Sequence, residues 1–144
     1  MTELLNGQSV HDLKSLEIAL KNAGLLIENH TFYLSSPFKV NDEIYHILIF
    51  LSEDSQWITF TSRILEKEDW KRIIQSKNMQ DHELMKILLR INGQHNFGKF
   101  ALDKDGNIII IGQIVNTKMD EMIYRQYMQA FSMMFSNFLE LAFA

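Results

Sequence analysis

The sequence predicts an α+β fold: an antiparallel sheet with flanking helices, in the order α-βββ-α-ββ-α. Three observations carry this prediction. Two β-rich pairs of segments are each joined by a short polar turn, which reads as antiparallel hairpins. Helical periodicity occurs at both ends of the chain and once in the middle. One proline in 144 residues, with no repeat and no low-complexity tract, leaves no room for a linker, so 1–144 is expected to be a single domain.

The first helix is expected over about 10–23. Leu13, Leu16, Leu20 and Ala23 recur at helical spacing, Ser9 can cap it with Asp12 three residues on, and Gly24 is a suitable stop. Leu25 to Leu34 reads as a strand that ends before Ser35-Ser36-Pro37. Glu43–Ser52 and Gln56–Ile64 then form a hairpin on a two-residue loop, Asp54-Ser55, with Ile47, Ile49 and Leu51 sharing a face with Ile58 and Phe60. A short helix in EKEDWKRIIQSKN precedes a clearer one in DHELMKILLRING, where Leu84, Ile87, Leu88 and Ile91 make one stripe and Gly93 stops it. The second hairpin is NFGKFALDKDGNIIIIGQIV, and the last helix runs from about Met119 to the C-terminus.

Composition removes several functional classes. With 47% hydrophobic and 22% charged residues the chain reads as a soluble globular protein. The absence of cysteine removes disulfides and thiolate metal sites, and the net charge of −4 argues against nucleic-acid binding through clustered Lys and Arg. The first ten residues have neither a basic region nor a long apolar run, so no signal peptide is expected. Apolar runs such as Ile47–Leu51 fall far short of the roughly 20 residues of a membrane span. A cytoplasmic protein that binds no membrane is the expectation.

Catalytic and metal chemistry finds no frame. DKDGN (103–107) opens like a calcium loop, with Asp103, Asp105 and Asn107 at ligand positions 1, 3 and 5. The required Gly at position 6 is Ile108 and the bidentate Glu at position 12 is Ile114. His11, His30, His46, His82 and His95 have no HxH or HExxH spacing, and no GxSxG or GxxxxGK[ST] motif is present. No catalytic residue, metal ligand or cofactor is therefore expected, and the chain reads as non-enzymatic.

The informative feature is an apolar surplus. A three-residue loop at Lys104-Asp105-Gly106, with Gly106 left-handed and the acidic residues in water, pairs Leu102 with Ile108. One face then carries Leu102, Phe100 and Gly98 with Ile108, Ile110 and Gly112, an uncharged core face where two glycines let a helix sit close. The other carries Ala101, Lys99 and Phe97 with Ile109, Ile111 and Gln113. A strand with one wet face should not read Ile-Ile-Ile-Ile, so something covers Ile109 and Ile111: the protein's own elements or another chain. The first hairpin also has a half-apolar second face, mixing His46, Leu48 and Phe50 with Trp57, Thr59 and Thr61. The final helix sets apolar residues over half its circumference against one polar stripe of Glu121, Arg125, Gln129, Ser132, Ser136 and Glu140, with Met122 and Met133 near its edge. Phe50, Trp57, Ile109, Ile111 and Met133 are thus the candidate residues of a partner-binding or dimer surface.

The stretch LLRINGQHNFGKFALDKDGNIIIIGQI carries a pattern of Asn92, Gly98, Phe100, Leu102, Asp103, Asp105 and Gly106, followed by the apolar positions of a long helix. In this it resembles the YbjN-like proteins and, more distantly, the type III secretion chaperones, which share a Tir-chaperone-like fold. The element order matches over nearly the full chain. The resemblance implies a small, acidic, cytosolic homodimer with no catalytic motif. In the secretion chaperones an extended client segment lies on hydrophobic patches, while YbjN-like members are described as sensory-transduction regulators. The leading expectation is a homodimeric, chaperone-like module holding a segment of a client or partner protein. The alternative is a small-molecule sensor, which would need an enclosed cavity with converging polar groups, His46, Arg63 and Lys99 being the candidates.

Overall fold

The two expected hairpins form the middle and one side of a six-stranded antiparallel sheet. The computed structural model describes residues 12–116 and 120–143. Its elements are α1 (Leu13–Asn22), β1 (Glu28–Asn29), β2 (Leu34–Val40), β3 (Glu43–Leu51), β4 (Trp57–Leu65), α2 (Lys67–Ser76), α3 (Asp81–Asn92), β5 (Lys99–Leu102), β6 (Ile108–Val115) and α4 (Glu121–Phe143). The strand order across the sheet is β1-β2-β3-β4-β6-β5. The architecture is the α+β arrangement expected from the sequence, with a two-residue strand added near the start and both of the helices read in the middle present as α2 and α3.

Helix α1 begins later than the periodicity alone indicates. Asp12 is its cap: its Oδ1 accepts from the Ser15 amide at 2.8 Å, and Ser15 Oγ accepts from the Asp12 amide at 3.0 Å. The Ser9 cap of this helix and the start at Met119 expected for the last helix lie outside the described residues. At the C-terminus Gly24 takes φ +87° while the Gly24 and Leu25 amides donate back to the carbonyls of Lys21 and Leu20. That is the left-handed stop for which glycine is suited. Arg125 on α4 donates to the last carbonyl of this turn, Ala23 O, from Nη2 at 2.7 Å and Nε at 3.1 Å, tying the two helices together.

The strand expected over Leu25–Leu34 is displaced. Glu28 and Asn29 pair there with the start of β2, which begins only at Leu34 and runs on through Ser35-Ser36-Pro37. The reason is a local turn: Thr31 takes φ +80°, its amide donates to Asn29 Oδ1 at 2.7 Å, and the His30 amide donates to Tyr33 O at 2.9 Å. Pro37 is tolerated inside β2 because β1 is too short to reach it, so its missing N–H costs no ladder bond on that side.

Both hairpin registers follow the sequence reading. Leu51 pairs with Ile58 and Ile49 with Phe60, while Leu102 pairs with Ile108 and Phe100 with Ile110. The core face therefore carries Leu34, Ile47, Ile49, Ile58, Phe60, Phe100, Ile108 and Ile110, all buried. Leu102 is the exception. It is the last residue of an edge strand and is exposed, while Phe100 is covered by Phe138, ring centroids 5.4 Å apart.

Helix α4 lies over this face with Tyr124, Tyr127, Phe131, Met134, Phe135 and Phe138 buried, a 3-4 spaced stripe. The two glycines make its close approach feasible. A Cβ on Gly98 would meet Met134 Sδ at 3.2 Å, and one on Gly112 would stand 2.4 Å from Tyr127 Cε1. Tyr127 itself stacks on Phe60 with centroids 4.7 Å apart.

The turn DKDGN is a structural joint. Asp103 Oδ1 accepts from the amides of Asp105 and Asn107, both at 2.9 Å, and its Oδ2 accepts from Asn107 Nδ2 at 3.0 Å. These bonds, the Asn107 backbone bond foremost, hold the Asp103 carboxyl below the usual aspartate range. Asn107 Oδ1 in turn caps α2 by accepting from the Lys67 amide at 3.0 Å, and the Trp70 indole donates to Gly106 O at 2.9 Å. The carboxylate expected to stay in water at Asp103 instead holds the turn that seats α2. Asp105 is exposed, as expected.

Candidate functional site

The side of the sheet opposite α4 carries the second parity of every strand. From β2 come Ser35, Pro37 and Lys39; from β3 Ile44, His46, Leu48 and Phe50; from β4 Trp57, Thr59, Thr61 and Arg63; from β6 Ile109, Ile111, Gln113 and Val115. Among the described residues no helix covers it: Ile44 is 65% exposed, Trp57 40%, and Phe50 and Ile111 36% each. So large apolar side chains face solvent in a contiguous patch, where monomeric surfaces ordinarily scatter them singly.

The patch has internal order. Cross-strand pairing sets Leu48 beside Thr61, Thr61 beside Ile111, Arg63 beside Ile109 and Trp57 beside Val115. Gln113 Nε2 donates to Thr59 Oγ1 at 3.1 Å, fixing the polar middle between the isoleucines and the tryptophan. At the β2 end, the His30 ring stacks on Tyr33 at 4.7 Å, and Tyr33 leans on Phe50 at 5.5 Å. His30 Nε2 also shares a 2.8 Å hydrogen bond with the buried hydroxyl of Ser35.

A bulge in β4 at Arg63/Leu65 breaks the pairing with β6, and such bulges bend a strand. Beside it the patch dips into an open groove of about 610 Å³, with Ile44, Leu48 and Ile109 as apolar walls. His46, Thr61, Arg63 and Asp103 supply its polar lining. Tyr45 reaches the groove only at its rim: its ring packs edge-on against Phe135 of α4, centroids 4.6 Å apart, and its hydroxyl donates to the Glu43 carboxylate at 2.8 Å, burial and then that bond pushing the phenol up to about 12. The groove is a trough open to solvent, unlike the enclosed cavity that a small-molecule sensor needs. Two of the three polar candidates for such a sensor, His46 and Arg63, do line it. Lys99 does not: its Nζ is bonded to the carbonyls of Asn92 and His95. Among the described residues no group of three or more His, Asp or Glu side chains is placed to hold a metal ion.

Both edges of the sheet are obstructed. On β5, Asn92 donates from Nδ2 to Phe100 O at 3.0 Å and accepts from the Phe100 amide at 2.6 Å, taking the place of a further strand. On the far side, β1 covers only the start of β2, and Pro37 offers no donor beyond it. The broad face is therefore the available surface.

Of the five candidate residues, the structure brings Phe50, Trp57, Ile109 and Ile111 onto this one face. Met133, 50% exposed, sits on α4 on the other side of the sheet and is not part of it. Ile44, Leu48 and Val115 belong to the face and were not among the candidates. Their period-2 parity with Phe50 and Ile111 was the available signal. Pro37 had no such signal, because the strand was expected to end at Leu34, and Tyr33 reaches Phe50 from the turn before β2, outside any strand alternation.

No protein-family model matches this chain. No curated protein matches it either. Solved structures do. YbjN from E. coli is similar over 90% of this chain and 93% of its own, with 17% identity and a TM-score of 0.63. A chain of the HopA1–SchA chaperone–effector complex is similar over 91% of this chain and 99% of its own, with 11% identity and a TM-score of 0.58. The Yersinia pestis type III secretion chaperone SycH, solved with a fragment of YscM2, scores 0.48 at 13% identity, over 90% and 91% of the two chains. The chain thus has the fold shared by YbjN and a chain of the HopA1–SchA chaperone–effector complex, in keeping with the YbjN-like and chaperone-like fold that its sequence resembles.

Proposed function

We propose that this chain is a non-enzymatic, chaperone-like protein-binding module. It works as a homodimer in the cytoplasm and holds a segment of a partner protein on the open face of its sheet. One observation carries the reading: an apolar patch (Leu48, Phe50, Trp57, Ile109, Ile111) lies on a face that no helix among the described residues covers, interleaved with hydroxyl and cationic side chains. Apolar anchors set among satisfiable polar groups are the composition of a recognition surface. The fold of a chain found in a chaperone–effector complex supports the same reading. Because Asn92 and Pro37 obstruct the edges, the bound segment lies across the strands, with side chains in the trough beside Arg63, and does not extend the sheet as an added strand.

The test is site-specific photo-cross-linking in the native host, with the photoreactive residue at Ile111 or Leu48 and a control at Glu140 on α4. A discrete partner protein captured at the two face positions, absent at Glu140, and lost when Ile109→Arg is added, supports the proposal. Capture of only a second copy of this chain at Ile111 would mean that the face is a dimer seam. Equal capture at Glu140 would mean that the face has no special role.

A further inference from the structure

Helix α4 carries a second stripe, exposed at Met122, Gln129 and Met133 and half-buried at Gln126, and its pattern reads the same in both directions. Met122, Gln126, Gln129 and Met133 follow one another at intervals of four, three and four residues. At about 100° per residue they fall within an arc of about 60°, opposite the buried stripe of Tyr124, Tyr127, Phe131 and Phe138. Met122 is 68% exposed.

We propose that this stripe is the contact by which two copies of the chain pair, α4 against α4 in antiparallel sense about a two-fold axis. The inference rests on the homodimer reading above and deepens it by naming the surface. A two-fold contact must be self-complementary, and between antiparallel copies of one helix this means that each residue meets its mirror position in the helix. About a centre between Tyr127 and Met128, Met122 meets the partner's Met133 and Gln126 meets the partner's Gln129. A glutamine amide both donates and accepts, so two of them satisfy each other across such an axis. Methionine side chains fill irregular gaps, and gaps are what they meet here. One hollow of about 440 Å³ lies between Met122, Arg125, Gln126 and Gln129, and another of about 290 Å³ lies between Met133 and the 94–97 loop. The 3-4 spacing is that of helices which pack along a shared seam. Pairing through α4 leaves the open sheet face of each copy pointing outward.

The chain contains no cysteine, which makes the test clean. Met122→Cys and Met133→Cys lie eleven residues apart, about 16 Å along the helix, too far to bond within one chain. The double variant, and an equal mixture of the two single variants, should form a covalent dimer under mild oxidation, while neither single variant alone should. Met133→Lys should weaken self-association about tenfold or more by sedimentation, with an unchanged circular dichroism spectrum. Cross-linking by either single variant alone would overturn the antiparallel arrangement. A dimer that is indifferent to Met133→Lys, with no cross-link in the double variant, would overturn the α4 seam and leave the homodimer reading standing. A monomer at all accessible concentrations would overturn both.

Discussion

Gly112→Ala is the sharpest probe of how α4 is seated. The added methyl would stand 2.4 Å from Tyr127 Cε1 and 2.6 Å from Phe97 O, so one of them must move. Neither can do so cheaply. Phe97 O is backbone, and the Tyr127 ring is stacked on Phe60 and edge-on to Phe97, with its hydroxyl donating to Gln113 O at 3.3 Å. Overpacking of this kind costs about 1–3 kcal/mol, and contacts this short place it near the top of that range. Alanine's lower unfolded-state entropy returns about 0.4–1 kcal/mol, for a net loss of about 2 kcal/mol. At roughly 3 °C per kcal/mol for a chain of this size, the melting temperature should fall by about 6 °C. Gly98→Ala is the matched control. Its nearest neighbours stand at 3.2–3.3 Å and are all side-chain atoms, including the adaptable Met134 sulfur, so its net effect should be within about 0.5 kcal/mol of zero. Urea unfolding of both variants with unchanged slopes decides the matter. A Gly112→Ala protein as stable as the Gly98→Ala protein would refute the close seating of Tyr127 on β6.

Three further expectations concern single polar groups. Asn92→Ala removes both hydrogen bonds to Phe100 and should cost about 2 kcal/mol, with hydrogen exchange at the Phe100 amide rising toward that of an open edge. Asn92→Asp should recover only part of this, because a carboxylate faces Phe100 O. The Tyr124 hydroxyl is buried with no hydrogen-bond partner among the described residues, so Tyr124→Phe should be neutral or stabilising by up to about 1 kcal/mol; a loss beyond 1 kcal/mol would reveal a bond to that hydroxyl. The folded pKa of Asp103 lies below its unfolded value of about 3.8, so its stabilising effect is present above that pH and is lost as pH falls through the folded pKa. Asp54 and Glu17 share this direction, so Asp103→Asn should make the acid limb of the stability curve shallower without abolishing it.

What was legible in the sequence was what local chemistry decides. Gly106 forces a left-handed turn, which pins the register of β5 on β6 and hence the parity of all four isoleucines. The Leu13, Leu16 and Leu20 spacing identified α1, although its true cap, Asp12 with Ser15, competed with an equally plausible Ser9. The β1–β2 region was misread because its boundary is set by Thr31 in a left-handed conformation, which a β-branched residue rarely adopts. Asn107 as the cap of α2 was invisible, since the two lie forty residues apart and meet only when the sheet has formed.

The site divides in the same way. Period-2 alternation put Ile109 with Ile111, and Phe50 with Trp57, on the second face of their own hairpins, because a strand's side chains must alternate; that the two pairs share one face was decided by the pairing of β4 with β6. Which element meets that face could not follow from any local rule. It depends on where four helices come to rest, and that is decided by packing: the absent side chains of Gly98 and Gly112 admit the aromatics of α4 on one side of the sheet. The consequence for the other side is tertiary in origin. Among the described residues no helix reaches that side, and its second apolar parity stays exposed there.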